Sequence, residues 1–271
     1  MWKTYISDVR KEVDEESAAA LKEDRREAER TMLVVVFTLM GVLFFLRFYG
    51  NSGRAIHLIN LLDAVGFDLW AEDLKYALYR SDNARFNQRV FWAVSRIFAY
   101  FVIPMFVIRF VLKKRFSDFG LSFAGLGKSW RIYLLLAAIM TPIFFIASYG
   151  DAFQAKYPYY KLRAGESLWP WFIAWELLYA IQFAGLEFFY RGFLVHGMKR
   201  RFGYAAIWVM VIPYLTIHFG KPPSEALGSI FAGFILGTLC LKSRSIWWGV
   251  ALHVWVACSM DFLSLWHNGH L

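Results

Sequence analysis

Long apolar runs recur along the chain, and short polar or charged segments separate them. Seven stretches of 17 residues or more are predominantly apolar. About 20 such residues cross a hydrocarbon core of ~30 Å, so each stretch predicts a transmembrane helix. The predicted spans are residues 32–48, 88–112, 131–149, 170–198, 203–219, 225–241 and 246–267. The pattern therefore predicts an all-α, polytopic membrane helix bundle of about seven transmembrane helices.

Two segments break this pattern. Residues 1–30 combine dense mixed charge with good helix formers, which predicts an exposed, amphipathic helix at the membrane surface. Residues 55–86 are half apolar with scattered acids, which is typical of an interfacial helix and not of a span. The predicted organisation is a charged surface segment over residues 1–30, followed by one membrane domain over residues 31–271.

Composition supports a membrane protein and weakens one competing class. Apolar residues make up 58% of the chain, against about 45–50% in soluble domains. The net charge of +9 would indicate a nucleic-acid partner only if the basic residues clustered on a soluble face. They lie instead in short loops between apolar runs, so no nucleic-acid partner is predicted. Cys240 and Cys258 lie in apolar segments without metal-type spacing, as small buried side chains do.

The distribution of Lys and Arg predicts the orientation. The segments on the N-terminal side of the predicted bundle hold about twice as many of these residues as the segments on the other side. By the positive-inside rule, the N-terminus is predicted to be cytoplasmic, in a multi-pass protein of the cell membrane.

Ionisable side chains occur inside several spans. A charge at mid-bilayer costs about 2.5–3.5 kcal/mol on insertion scales, so each such residue is a functional hypothesis. In the fourth span, Glu176 and Glu187 are eleven residues apart, which places them about 20° apart on a helical wheel. Arg191 follows Glu187 by four residues and shares the same face. A purely structural ion pair between Glu187 and Arg191 is the competing reading.

Four further ionisable residues lie in the later spans. His218 is near the end of the fifth span, Glu225 opens the sixth, and His253 and Asp261 lie in the seventh. Counting along the helices from their basic ends places Glu187, His218, Glu225 and Asp261 at similar depths, with His253 shallower. We therefore predict one site, although a lone histidine in an apolar span is more often structural. Its residues are Glu187, Arg191, His218, Glu225, His253 and Asp261.

These residue types favour general acid–base chemistry. A carboxylate and an imidazole can share a water and deprotonate it for attack on a carbonyl carbon. A second histidine can donate to the developing oxyanion. Glutamate and histidine could also hold a divalent metal such as zinc. The sequence has neither HExxH nor GxSxG, so we expect no cofactor, with a zinc ion as the open alternative.

Three short motifs resemble one family. They are Glu187-Phe-Phe-Tyr-Arg191, then Tyr214-Leu-Thr-Ile-His218, then His253. In order and spacing they are similar to EExxxR, FxxxH and HxxxN or HxxxD, the motifs of the CAAX protease and bacteriocin-processing (CPBP, or Abi) family of intramembrane proteases. The resemblance covers a core of about residues 115–265. It implies that Glu187 is the second glutamate of the first motif, that His218 helps to activate the hydrolytic water, and that His253 stabilises the oxyanion.

The chain departs from the family pattern at two positions. Leu186 stands where the first glutamate, usually assigned as catalytic, is expected, and Ala257 stands where the third-motif asparagine is expected. Either Glu225 or Asp261 replaces the lost acid, or the chain is inactive.

Three function hypotheses follow. The leading one is an intramembrane endopeptidase that cleaves a membrane-associated peptide or protein. The alternative is a catalytically inactive CPBP-like protein that binds peptides, as a maturation or immunity factor. The third is a proton-relaying transporter, which the absence of recognisable inverted repeats disfavours.

Overall fold

The computed structural model describes residues 2–163 and 167–270, and it contains no strand within those ranges. Helices satisfy their own backbone hydrogen bonds, which a bilayer demands of any spanning segment. Six helical stretches are long and apolar enough to cross a membrane, which confirms a multi-pass helical bundle. They are Tyr5–Phe48, Ala84–Val111, Ser129–Ala147, Trp171–Thr216, Pro223–Ser243 and Trp247–His267.

The first helix, α1 (Trp2–Phe48), is broken at Asp24. The backbone of Asp24 is extended there, with φ −151° and ψ 87°. Its side-chain oxygen Oδ1 accepts a hydrogen bond from the backbone N–H of Glu27 at 2.9 Å. This is how an N-cap residue starts a new helix. Residues 2–23 therefore form a separate N-terminal helix, and the first span begins after Asp24.

The N-terminal helix joins several basic segments at one end of the bundle. Its acids pair with cations of the membrane domain, for example Glu16 with Lys199 at 3.0 Å and Glu12 with Lys242 at 2.8 Å. We call this the basic end, comprising residues 2–30, 113–115, 199–204 and 242–244. Gly203 has φ +56°, and a Cβ there would lie 2.2 Å from a carboxylate oxygen of Asp14. A glycine is therefore required for the N-terminal helix to pack this closely.

Short helices and the second and third spans follow α1. The interfacial prediction for residues 55–86 falls on two short helices, neither of which is among the candidate spans. The second span contains two π-helical segments, Phe98–Val102 and Val107–Val111. The helices of this region are α2 (Ala55–Ala64), α3 (Asp68–Tyr79), α4 (Ala84–Ile97), α5 (Ile103–Phe106), α6 (Leu126–Ala147) and α7 (Asp151–Lys156).

The fourth helical stretch contains two of the predicted spans. It has 46 residues, and at 1.5 Å per residue such a length is about twice the hydrocarbon thickness. The chain reverses at Gly203, so that α10 packs back against the helical segments that precede it. These elements are α8 (Trp171–Glu187), a π-helical segment (Phe188–Val195), α9 (His196–Phe202) and α10 (Ala206–Thr216). The last two helices are α11 (Pro223–Ser243) and α12 (Trp247–His267).

The centre of the bundle is the π-helical segment Phe188–Val195, all of whose residues are buried. Close backbone packing surrounds it, since a Cβ on Gly192 would lie 2.6 Å from the carbonyl oxygen of Phe119. Helix α12 packs against α8 on one side and α6 on the other. Residues at the junction of α8 and the π-helical segment are therefore held rigidly and face α12.

Candidate active site

Glu187, the last residue of α8, is fully buried. Its oxygen Oε1 lies 2.8 Å from Nδ1 of His253 on α12 and 3.1 Å from Nη1 of Arg191. Its other oxygen, Oε2, has no hydrogen-bond partner among the described residues. That oxygen lies over Gly249, where a Cβ would be only 2.9 Å away. The bare backbone of α12 at Gly249 therefore makes room for the carboxylate.

Arg191 neutralises Glu187 inside the membrane. Its guanidinium is buried and lies 3.9 Å from the centre of the Tyr214 ring, a cation–π contact. Its backbone carbonyl, within the π-helical segment, faces Nδ1 of His196 at 3.0 Å. A buried charge without its partner is strongly unfavourable, so Glu187 and Arg191 depend on each other.

His253 is oriented by the Glu187 carboxylate. The carboxylate accepts the Nδ1 hydrogen, which leaves Nε2 of a neutral imidazole with a free lone pair. The ring packs on Phe183, with 4.3 Å between the two ring centres. Its side chain stays 16% exposed, so a small molecule can reach it. A carboxylate that fixes an imidazole in this way is the arrangement that prepares a general base.

His218 lies just beyond the end of α10 and is fixed by a neighbouring carbonyl. Its Nδ1 is 2.9 Å from the backbone oxygen of Tyr214, so Nδ1 donates and Nε2 keeps its lone pair. Burial lowers the pKa of His218 to about 3, and the positive charge of Lys221 adds to the effect. The centre of the His218 ring lies 4.7 Å from the centre of the Tyr214 ring, which in turn lies under Arg191. His218 is therefore a neutral acceptor at physiological pH, next to the tyrosine ring that contacts Arg191.

Four of the six predicted site residues thus belong to one connected set of contacts, namely Glu187, Arg191, His253 and, through Tyr214, His218. Tyr214 joins them, because its ring lies under Arg191 and its carbonyl holds His218. The sequence analysis did not assign a role to Tyr214. Its place at the first position of the FxxxH-like motif was the available signal.

Glu225 and Asp261 have other partners. The Tyr157 hydroxyl donates to both carboxylate oxygens of Glu225 at 3.0 Å, and Lys221 forms an ion pair with the same carboxylate. Asp261 is fully buried and accepts the backbone N–H of Tyr159 at 2.9 Å. No described contact joins either acid to Glu187. Their participation in catalysis stays a prediction.

A second pair of acids links α8 and α12. Glu176 faces Asp261 and Cys258, although neither of its carboxyl oxygens has a hydrogen-bond partner among the described residues. The sequence contained a signal for this pair. If antiparallel helices bring Glu187 to His253, residues that precede Glu187 meet residues that follow His253, and Glu176 and Asp261 are the acids of those two stretches.

The two departures from the family pattern are also buried. Leu186 and Ala257 each have 6% of their surface exposed and belong to the apolar core. In the part of the chain that the structure describes, no three His, Cys, Asp or Glu side chains are grouped so that they could hold a metal ion. The zinc alternative stays an expectation.

Comparison with known proteins relates the segment that contains this site to one family model. Residues 167–258 match the family model described as Rce1-like, type II CAAX prenyl endopeptidase Rce1-like. No curated protein and no solved structure shows significant similarity to the chain. The matched segment runs from the start of α8 into α12 and includes all four clustered residues. Residues 167–258 of this multi-pass membrane protein are therefore similar to the Rce1-like type II CAAX prenyl endopeptidases, which confirms the resemblance to the CPBP intramembrane proteases over this segment.

Proposed function

We propose that the protein is an intramembrane endopeptidase that hydrolyses a peptide bond in a membrane-associated protein or peptide, with Glu187 and His253 activating the water. The observation that carries the proposal is the 2.8 Å contact between Nδ1 of His253 and Oε1 of Glu187. This contact orients His253 as a base, although Leu186 stands where the first glutamate of the family motif is expected. The match of residues 167–258 to the Rce1-like family model supports the protease class.

In the proposed reaction, a single water molecule donates two hydrogen bonds, one to Nε2 of His253 and one to Nε2 of His218. The water oxygen bonds to the scissile carbonyl carbon while one of its protons moves to Nε2 of His253. The C–N bond then breaks as the amide nitrogen takes that proton, which yields a carboxylic acid and an amine. The negative charge of Glu187 stabilises the imidazolium that forms in between.

This assignment gives His253 a role different from the one that the family resemblance implies. As oxyanion donor, His253 would need a hydrogen on Nε2 in the resting state. The Glu187 carboxylate instead holds the hydrogen on Nδ1. His218 cannot supply that donor either, since its Nδ1 hydrogen is engaged by Tyr214. Both imidazoles therefore act as acceptors toward the water.

The test uses the purified full-length protein in nanodiscs. Two probes are a farnesylated peptide ending in a CAAX sequence and a pool of synthetic single-span membrane peptides, with products identified by mass spectrometry. We expect His253→Ala and His218→Ala to abolish cleavage. Glu176→Gln is the matched control, because it neutralises a buried acid on the same face of α8 away from the two histidines. Cleavage that persists in both histidine variants would contradict the assignment.

A second function is favoured by one specific observation. Leu186 and Ala257 occupy two motif positions with apolar side chains that pack into the core. A catalytically inactive, peptide-binding relative would tolerate both changes. It would bind the probe peptides without cutting them, and Leu186→Glu would then create cleavage. If the wild type cleaves the probe peptides and Leu186→Glu cleaves them no faster, that result supports the Glu187–His253 mechanism.

We also propose that the protein lies in the cell membrane with its N-terminus in the cytoplasm. The ion pairs of the N-terminal helix gather Lys199, Lys242 and Arg244 at one end, which supports a single strongly basic side. Labelling of single cysteines by a membrane-impermeant reagent in intact cells tests this orientation. A cysteine at Lys22 should be protected, and one at Asn268 should react.

A further inference from the structure

A lipid-facing groove lies between the first two spans at the basic end. It has a volume of about 680 Å³. One wall is the start of the first span and the other is the last π-helical segment of the second. The lining residues are Arg26, Glu29, Arg30, Leu33, Val34, Phe37, Thr38, Val107 and Val111. None of them belongs to the candidate active site.

The groove changes from charged to apolar along its length. Arg26, Arg30, Leu33 and Phe37 follow one another at helical spacing and share a stripe about 60° wide. The two arginines are near the break at Asp24, at the membrane surface. Leu33 and Phe37 lie deeper, and they are 49% and 68% exposed, so no other part of the described chain covers them. From Arg26 to Phe37 the helix rises about 16 Å.

The positive charge at the top of the groove is not fully neutralised by the protein. Arg30 donates from Nη2 to the carbonyl oxygen of Val111 at 3.1 Å, and its Nη1 is 3.5 Å from Glu27. Glu29 is engaged by Arg25 at 2.8 Å. No carboxylate of the described residues lies within ion-pair distance of Arg26. A guanidinium at a membrane surface with no carboxylate partner presents two parallel N–H groups, which can donate to two oxygens of one phosphate.

We infer that this groove binds one anionic phospholipid, with its phosphate between Arg26 and Arg30 and an acyl chain along Leu33, Phe37 and Val107. The order of the groove residues matches the order of a lipid, charged headgroup first and hydrocarbon second. A phospholipid with a net negative headgroup fits better than a zwitterionic one, because the described residues that line the groove offer no unpaired acid to a headgroup cation. Glu29 is the nearest acid, and Arg25 and Arg201 engage it.

The test uses the full-length protein and two defined lipids. The protein is reconstituted in phosphatidylcholine nanodiscs, titrated with phosphatidylglycerol, and bound lipids are counted by native mass spectrometry. We expect one phosphatidylglycerol to bind in preference to phosphatidylcholine. We expect each arginine to contribute about fivefold to that preference, so Arg26→Gln/Arg30→Gln should reduce it about twenty-five-fold. Lys11→Gln/Lys22→Gln is the matched control, because it removes the same charge from the N-terminal helix outside the groove.

A second variant tests the hydrocarbon part. Val111→Trp fills the groove without changing its charge, and it should weaken phosphatidylglycerol and phosphatidylcholine alike. Equal losses in the Arg26→Gln/Arg30→Gln variant and its control would overturn the inference, since general surface charge would then explain the preference. Displacement of the bound lipid by a farnesylated peptide at equimolar concentration would also overturn it and assign the groove to a substrate chain. Free inorganic phosphate should not compete at millimolar concentration.

Discussion

Helices α8 and α12 are joined by two acidic contacts, and the two differ in what surrounds the carboxyl groups. Glu187 has Arg191 and His253 at the same oxygen. Glu176, eleven residues earlier on the same face, meets Asp261 with no cation in hydrogen-bond contact with either acid among the described residues. The first contact holds a charge in place beside a base. The second places two carboxyl groups near each other without such a partner.

The difference shows that burial of an acid in the membrane does not by itself identify a catalytic group. Both acids on α8 are buried, and both were placed on one helical face from the sequence. What distinguishes Glu187 is an oriented imidazole with a free Nε2 on the facing helix. The predictions below set the two acids against each other, beginning with the largest effect.

Removing the charge of Glu187 should have the largest effect. Glu187→Gln leaves the Arg191 guanidinium buried without a counter-charge, and we expect the free energy of unfolding to fall by about 3–5 kcal/mol. The double variant Glu187→Gln/Arg191→Met removes both charges and should recover most of that loss without recovering cleavage. Thermal unfolding in detergent and the nanodisc cleavage assay measure the two quantities. Equal stability of the single and double variants would contradict the ion-pair account.

Filling the space beneath Glu187 should have the next largest effect. The added methyl group of Gly249→Ala would lie 2.9 Å from Oε2 of Glu187 and displace the carboxylate. We expect a loss of about 1–3 kcal/mol in stability and a fall in cleavage rate of about tenfold to a hundredfold. The control is Gly228→Ala in α11, where a Cβ meets nothing within 4 Å. That variant should be unchanged in rate and slightly more stable, because alanine favours a helix.

Acid should destabilise the protein through His218. Its pKa of about 3 in the folded state is below the ordinary histidine value of about 6.5. Between these values the unfolded chain binds the proton and the folded chain does not, so stability falls as the pH drops below about 6.5 and is unaffected above it. We expect the unfolding midpoint of wild type to fall more steeply between pH 7 and pH 4.5 than that of His218→Asn, which keeps a donor for the Tyr214 carbonyl. Parallel pH profiles would count against a buried neutral His218.

Neutralising the second acid should have the smallest effect. Glu176→Gln leaves no buried cation without a partner, and the new amide can donate a hydrogen bond to Asp261. We therefore expect a free energy of unfolding within about 1 kcal/mol of the wild type and unchanged cleavage. Asp261→Ala is the more sensitive companion, since it removes the oxygen that accepts the backbone N–H of Tyr159. A loss of cleavage in Glu176→Gln with intact folding would show that both acids serve the reaction.

Much of this site could be predicted from the sequence, because helical spacing determines which residues share a face. The wheel positions placed Glu187 and Arg191 together, and the structure confirms that contact at 3.1 Å. The family resemblance named His218 and His253 as their companions. Helical spacing along one chain does not give the register between two helices. For that reason the sequence analysis grouped Asp261 with Glu187, whereas the acid of α8 that lies near Asp261 is Glu176.

Other features depend on backbone geometry that the sequence does not display. The tautomer of His218 follows from the position of one carbonyl, that of Tyr214. The break of α1 depends on Asp24, a residue that is unremarkable among the many charges around it. The division of Trp171–Thr216 into two spans was predicted, since the basic segment Lys199–Arg201 interrupts its apolar run.

The π-helical segment Phe188–Val195 also sets the rotational relation between the active site and the basic end. A π-helical turn is equivalent to one residue inserted into an α-helix. Deleting one residue after Arg191, within residues 192–195, would keep the spacing of Glu187 and Arg191. It would turn α9 by about 100° and carry Lys199 away from Glu16 of the N-terminal helix. The number of residues at this point is therefore as constrained as their type. With the added residue, one continuous helix makes both the active-site contacts and the contacts of α9 with the N-terminal helix, whereas an uninterrupted α-helix would turn one set away from its partners.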